Sequence, residues 1–321
     1  MWRGRKAPES PDPSIPTGRL FVARGVRSWY LFARGCEVAS SPRWLGALGS
    51  ILRAGVSGGF SLLPWPESPL YTFPESDPEW RPPRSAGEAM RAIEGRYAHF
   101  DVVAYHDVTL RKPMRTFIVS YGFTEFRVEN GTLMQLDSFC RGEQILNRTG
   151  TEAIFSDAAT RAIRPPAQEV ELSWKDGRWH LYRPASPTLL GIAGDPSMPL
   201  STDPNDPDLL DPDGDGKPGV TVTIRVGGFL EGEIYITRRE VYHHHLVLNS
   251  NGNLYGHVVD ESEQFVVGAS RRMFRQKSNM EQIGDPGMSP IILVRVDDEI
   301  DGCEALLSAR DRLFPPPPSF G

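Results

Sequence analysis

Short apolar runs, rich in β-branched and aromatic residues and separated by turn signals, recur from residue 95 to residue 299 and predict strands. "RYAHFDVVAYHDVTL" and "MRTFIVSYGFTEFRVENGTLMQLDSFC" open the series, the second folding back at Asn130-Gly131. "EVELSWKDGRWHLYR" gives the clearest hairpin. A two-residue turn at Asp176-Gly177 sets Trp174 opposite Trp179 and Leu172 opposite Leu181. Ordinary sheet packing accounts for the tryptophan pair more economically than a carbohydrate platform. Later strands are expected in "GVTVTIRVGGFLEGEIYITRREVYHHHLVLN", "LYGHVVDESEQFVVGAS" and "PIILVRVDDEI".

Helical spacing is rare. Ser85 and Glu88 in "SAGEAMRAIEG" have capping-box spacing, and Gly95 is a natural stop. Ile154, Phe155, Ala158, Ala159, Ala162 and Ile163 repeat at helical intervals before Pro165-Pro166. A last helix is expected in "CEALLSARDRLF". The fold class is therefore mainly β, an antiparallel barrel or sandwich with a few short helices. Residues 85–200 and 220–314 each run strands, cysteine, short helix, proline. This suggests two similar β halves joined by an Asp-rich loop at 201–219, with one shared barrel as the alternative; residues 315–321 form a Pro-rich tail.

Composition adds an unstructured beginning. The 29 prolines and 31 glycines are many for a compact chain of 321 residues. Residues 1–60 hold nine Lys/Arg against three Asp/Glu, a surplus of six, which leaves −12 for the rest of a chain of net charge −6. An acidic body lacks the clustered cations that nucleic-acid phosphates require. Residues 1–84 are expected to be poorly ordered, an export signal of degenerate type or a start set too far upstream, followed by a Pro-rich linker. The apolar stretch after Arg43 is interrupted by Arg53 and too short to span a membrane. "LFARGC", ending at Cys36, resembles a lipoprotein signal, but Arg34 stands where a small residue is wanted. Gly55 to Gly59 match the spacing of a nucleophile elbow, yet Pro64 and Pro66 forbid the helix that must follow the serine.

The cysteines, Cys36, Cys140 and Cys303, have no ligand spacing, so zinc-ribbon and thioredoxin-like functions are excluded. Cys140 and Cys303 either form one disulfide in an oxidising compartment or are two separate thiols.

The stretch "DPDGDGKPG" at 211–219 carries the most specific chemistry. Aspartates at alternate positions of a tight loop direct several carboxylates to one centre, as an oxygen-loving cation needs. Asp211, Asp213 and Asp215 fit the first, third and fifth positions of such a loop, Gly216 the sharp turn at the sixth, and the Lys217 carbonyl the seventh. The stretch resembles the calcium loops of EF-hands, dockerins and thrombospondin type 3 repeats. That local resemblance implies a metal-binding module rather than an activity. It departs at the twelfth position, where Val222 replaces a bidentate glutamate. The missing ligand is expected from Asp206, Asp208 or Glu231. Six aspartates between 201 and 216 precede the first cation, so calcium is the expected cofactor, weakly held and structural; zinc is not favoured.

"VYHHHLVLNSNGNLYGHVVD" holds four of the seven histidines. A two-residue turn at Asn251-Gly252 pairs His243 with Asp260 and makes His244 and His257 diagonal neighbours on the other face. His243 and His245 share a face. Such a group offers a second metal or ligand site, although no fixed-spacing motif is present.

The expected function is that of a non-catalytic, exported β-rich protein, periplasmic, surface-bound or secreted, with a structural calcium loop. Two alternatives stand beside it. One is a lipocalin-like carrier of a small apolar ligand. The other is a metal-dependent hydrolase using His243, His245 and Asp260, or His244 with His257.

Overall fold

The structure, a computed structural model, describes residues 61–107, 114–275 and 280–321. The expected export or lipoprotein signal, Cys36 and the serine motif at 55–59 lie outside the described residues. After helix α1 (Ala86–Ile93) come three long strands, β1 (Gly95–Asp107), β2 (Met114–Glu129) and β3 (Thr132–Leu146). The α1 cap is as the spacing predicts, the Ser85 hydroxyl accepting the Glu88 N–H at 3.2 Å. Asn130 and Gly131 both take positive φ, 51° and 82°, which gives the β2–β3 turn the handedness of twisted strands.

The chain continues through β4 (Thr151–Phe155), α2 (Asp157–Arg161), the short β5 (Gln168–Glu169), and the hairpin β6 (Glu171–Lys175) and β7 (Arg178–Arg183). Trp174 faces Trp179 and Leu172 faces Leu181, as expected. Next are β8 (Thr188–Leu190), β9 (Val220–Val226), β10 (Leu230–Glu240), β11 (Tyr242–Leu248), β12 (Leu254–Asp260), β13 (Glu263–Ala269), β14 (Met280–Gln282) and β15 (Pro290–Arg295). Helix α3 (Cys303–Leu313) closes the series. The helix expected over 154–163 is split. Ile154 and Phe155 belong to β4, which pairs with β9, and the Ser156 hydroxyl caps only the short α2 by accepting the Ala159 N–H.

The fifteen strands of the described residues join one antiparallel sheet whose main path is β13-β10-β9-β4-β3-β2-β1-β15-β12-β11-β7-β6, with β14 on β1, β5 on β3 and β8 on β10, curled into a half-barrel. It does not divide into two halves at the aspartate loop. β9 and β10 attach beside β4, while β15, β12 and β11 lie between β1 and β7. The curl is tight enough for Gln135 on β3 to reach His244 on β11, with four strands between them in the sheet, at 3.2 Å.

Both faces of β1 are buried, which is why its sequence lacks clean alternation. Tyr97, Val103 and Tyr105 join Phe126, Leu133, Phe139, Leu181, Leu246, Leu254 and Leu293 inside the curl. The concave side is thus filled with side chains where an apolar carrier would keep an open cavity. Phe100, Val102, Phe117, Val119 and Tyr121 form a second core on the other face, under Leu306 of α3.

Residues 65–73 and the proline tail are built into this outer layer and Trp80 packs on the inner core, which corrects the expectation of disorder for the described part of 1–84. Trp65 packs on Phe117 at 4.9 Å between ring centres, Phe320 stacks on Phe117 at 4.7 Å, and the Tyr71 hydroxyl donates to the Pro316 carbonyl at 2.8 Å. Their aromatic residues have a greasy sheet face to cover, and the prolines between them fix extended backbone at little entropic cost. Cys140 of β3 and Cys303 of α3 are joined by a disulfide across this layer. No helix among the described residues is long and apolar enough to cross a membrane.

Candidate metal centre

The aspartate loop is pinched at its base by a hydrogen bond from the Gly219 N–H to the Leu210 carbonyl, 2.7 Å. Gly219 has φ +80°, and a Cβ there would collide with the Ile236 carbonyl oxygen, so the loop can sit this close to β10 only with glycine. Gly216, at φ +82°, supplies the left-handed turn expected of it.

Within the loop the three carboxylates converge. Asp211, Asp213 and Asp215 each offer an oxygen within 4.8 Å of the others, and the group could hold a metal ion. Asp211 is fixed by backbone donors: its Oδ1 accepts from Gly214 (2.8 Å) and Asp215 (3.1 Å), and its Oδ2 from Gly216 (2.8 Å). The Gly216 N–H leads in holding its carboxyl below the usual carboxylate range, so it stays charged. Asp213 is pushed the other way, by burial first and by the charges of Asp215 and Asp211. Its Oδ2 accepts the Thr221 N–H at 2.9 Å, while its buried Oδ1 has no hydrogen-bond partner. Asp215 accepts from the Lys217 N–H at 3.0 Å and from the Thr221 hydroxyl. A buried, unpaired carboxylate oxygen beside two hydrogen-bonded carboxylates is a donor set that could hold a metal ion.

The residues expected to complete the shell stand elsewhere. Asp206 accepts from the Ser201 hydroxyl and, at 2.9 Å, from the Asp208 N–H, and so shapes its own turn. Asp208 is likewise outside the converging group. Glu231 pairs with Arg225 at 2.7 Å. The carboxylate at the loop's edge is Glu233, bound by the Lys217 amine at 2.7 Å, with that amine also 3.7 Å from Asp215. Lys217 thus meets the acidic group through its side chain.

The histidines fall in a different register from the one expected. Leu248 pairs with Leu254, so the β11–β12 connection has five residues, 249–253, rather than two. Its asparagines close it: the Asn249 N–H donates to the Asn253 carbonyl, and Asn251 and Asn253 both donate to the Tyr255 hydroxyl. The slip of one residue sets Tyr242 opposite Asp260, His243 opposite Val259 and His245 opposite His257. Asp260 therefore lies on the inner face with His244, not beside His243, and its carboxylate accepts from Tyr105 (2.7 Å) and Ser262 (2.6 Å). His244 and His257 point to opposite sides. Neither catalytic set expected from the sequence is assembled.

His244 belongs instead to a buried polar cluster that the sequence did not reveal. His99 bridges Asp101 (2.7 Å) and the Thr124 hydroxyl (2.8 Å), and Thr124 donates to Asp137 at 2.7 Å. A hydroxyl that gives its single hydrogen to Asp137 must accept from His99, so Nδ1 of that ring carries a proton. The Gln135 amide donates to Asp137 and meets His244 Nδ1, and Arg183 lies 3.4 Å from Asp137 with its guanidinium 4.5 Å from the Tyr242 ring centre. Burial alone would raise the Asp137 pKa. The Arg183 guanidinium, the His99 ring and the Gln135 hydrogen bond bring it below the usual range. Burial drives His244 well below the ordinary imidazole value, so it is neutral. A signal for this cluster existed in phase: His99 and Asp101 alternate with Tyr97, Val103 and Tyr105, and Gln135 and Asp137 with Leu133 and Phe139.

No protein-family model, curated protein or solved structure matches the chain.

Proposed function

We propose that this is an exported, non-catalytic β protein whose aspartate loop binds calcium and braces the β9–β10 end of the sheet, in a binding or structural role. The observation that carries the reading is the buried, partnerless Oδ1 of Asp213 facing an all-oxygen group with Asp211 and Asp215. Such a set favours a hard cation, and three carboxylates with flexible outer ligands suit calcium better than the strict octahedron of magnesium. With only three carboxylates gathered, affinity is expected on the order of 10⁻⁴–10⁻³ M, as in extracellular modules. The Cys140–Cys303 disulfide supports the same compartment, since such bonds persist where the medium is oxidising.

Thermal melting in calcium and in chelator tests the reading. At a calcium concentration a hundredfold above Kd, binding adds about 2.7 kcal/mol. That corresponds to a rise of roughly 5–10 °C in Tm for a body of this size. Asp213→Asn keeps the acceptor for Thr221 but removes the charge, and it should abolish the rise. An unchanged Tm in calcium, or an equal rise in the variant, would sink the proposal.

A further inference from the structure

The outer face of β11 and β12 carries a second group of ligating side chains, chemically unlike the aspartate loop. His243 and His245 are two residues apart on one strand and project to the same side. His257 stands directly across from His245 on the neighbouring strand. The strands lie especially close here, because a Cβ on Gly256 would collide with the His245 carbonyl oxygen. Ring centres are 5.3 Å apart for His243 and His245 and 4.9 Å apart for His245 and His257. Two imidazoles sharing one ion at about 2.0–2.1 Å have ring centres roughly 5 Å apart. The ring centres of both neighbouring pairs thus stand at the spacing of a shared ion, although the ring nitrogens of the three do not converge as the rings now lie. His245 and His257 lie nearly parallel, 17° between planes, so ligation requires their ring edges to turn inward about the side-chain torsions.

The surroundings favour this use. His245 is exposed and the other two are half-buried, so an ion from solvent can reach them. Tyr182 packs on His243 at 5.7 Å and on His245 at 5.0 Å between centres, forming a wall on the β7 side. No hydrogen bond or ion pair to another side chain occupies the three rings among the described residues. The cross-strand slip removes Asp260 from this face, and Glu261 is the carboxylate whose charge reaches His243 from β12's end.

We propose that His243, His245 and His257 form a binding site for a divalent transition-metal ion of the zinc or copper type, with a coordination position left open to water. Neutral imidazoles suit zinc, copper and nickel, whereas calcium requires oxygen donors. The chain would thus carry two sites selecting different metals, and this one does not rest on the calcium reading.

The test is titration of the full chain, stripped with chelator and returned to chelator-free buffer, with zinc alone and copper alone. Each titration competes against a chromophoric chelator and runs in excess calcium. One equivalent is expected, with copper bound more tightly than zinc. His245→Gln and, separately, His257→Gln should each weaken binding at least about tenfold. Asp213→Asn and His106→Gln should leave it unchanged, so failure here is distinguishable from failure of the calcium loop. Copper bound to the wild type should show hyperfine coupling to more than one imidazole nitrogen. Undiminished binding in both histidine variants, or less than one equivalent in the wild type, would overturn the proposal.

Discussion

Asp137→Ala is expected to lower the unfolding free energy by about 3–5 kcal/mol, the range for removing one partner of a buried charge pair. The carboxylate is 3 % exposed and receives hydrogen bonds from Thr124 and Gln135 while facing Arg183. Without it, a guanidinium that is 1 % exposed has lost its counter-charge inside a low-dielectric core. Asp137→Asn keeps the shape and should also destabilise, because Arg183 again lacks its counter-charge. Guanidinium unfolding at neutral pH measures both; a loss under about 1 kcal/mol for the alanine variant would contradict this account of the core.

The same cluster sets the response to acid. The Asp137 pKa is lowered on folding, so its stabilisation is present above the ordinary carboxylate value, near 3.9, and disappears as pH falls through the lower folded value. His244 has a lowered pKa too. The unfolded chain takes up its proton near pH 6.5 while the folded chain does not, so stability begins to fall below that pH. His243, His245 and His257 shift in the same direction, chiefly by burial. Asp260 opposes them, its pKa being raised by burial and by Glu240. Each extra proton bound by the unfolded state steepens the decline by about 1.4 kcal/mol per pH unit. Unfolding midpoints between pH 7.5 and 5 should therefore drop, and drop less in His244→Gln relative to its own value at pH 7.5.

Removing the disulfide should cost nearly as much. Cys140 and Cys303 are 163 residues apart, and releasing so long a loop destabilises by about 2–5 kcal/mol. The bond also holds the start of α3, whose N-cap, Gly302, has no side chain to satisfy the first turn. Cys303→Ser is accordingly expected to lower Tm and to speed amide exchange in α3 and the tail packed on Phe117 before the rest of the sheet. Equal Tm for the variant and the oxidised wild type would show that the layer holds without its covalent tie.

The turn chemistry of the sequence reveals the tight hairpins: Asn130-Gly131 and Asp176-Gly177 fix their registers without help from the rest of the chain. It fails at "NSNGN", where three asparagines close a longer loop by their own side-chain and backbone bonds. A shift of one residue in register there puts His257 with His243 and His245, and Asp260 with His244, because side chains alternate strictly along a strand. The aspartate group was legible since its three members lie within five residues. Glu233, on β10, was not, because its approach depends on where the sheet places that strand. The His99–Asp137 cluster was hidden for a related reason: it gathers residues from β1, β2, β3, β7 and β11, and only the curl of the sheet brings them together.

The position of β1 bears on how the chain can fold at all. Its two neighbours along the central part of the sheet are β2, next in sequence, and β15, which begins nearly two hundred residues later. During synthesis the Tyr97–Asp101 part of one edge of β1 stays unpaired until the chain has passed Arg295, and α3, which shields the outer face, arrives later still. Non-local pairing of this kind makes folding slow, and the waiting edges are open to association with other chains. The middle of the sheet is committed first in sequence and completed almost last in time.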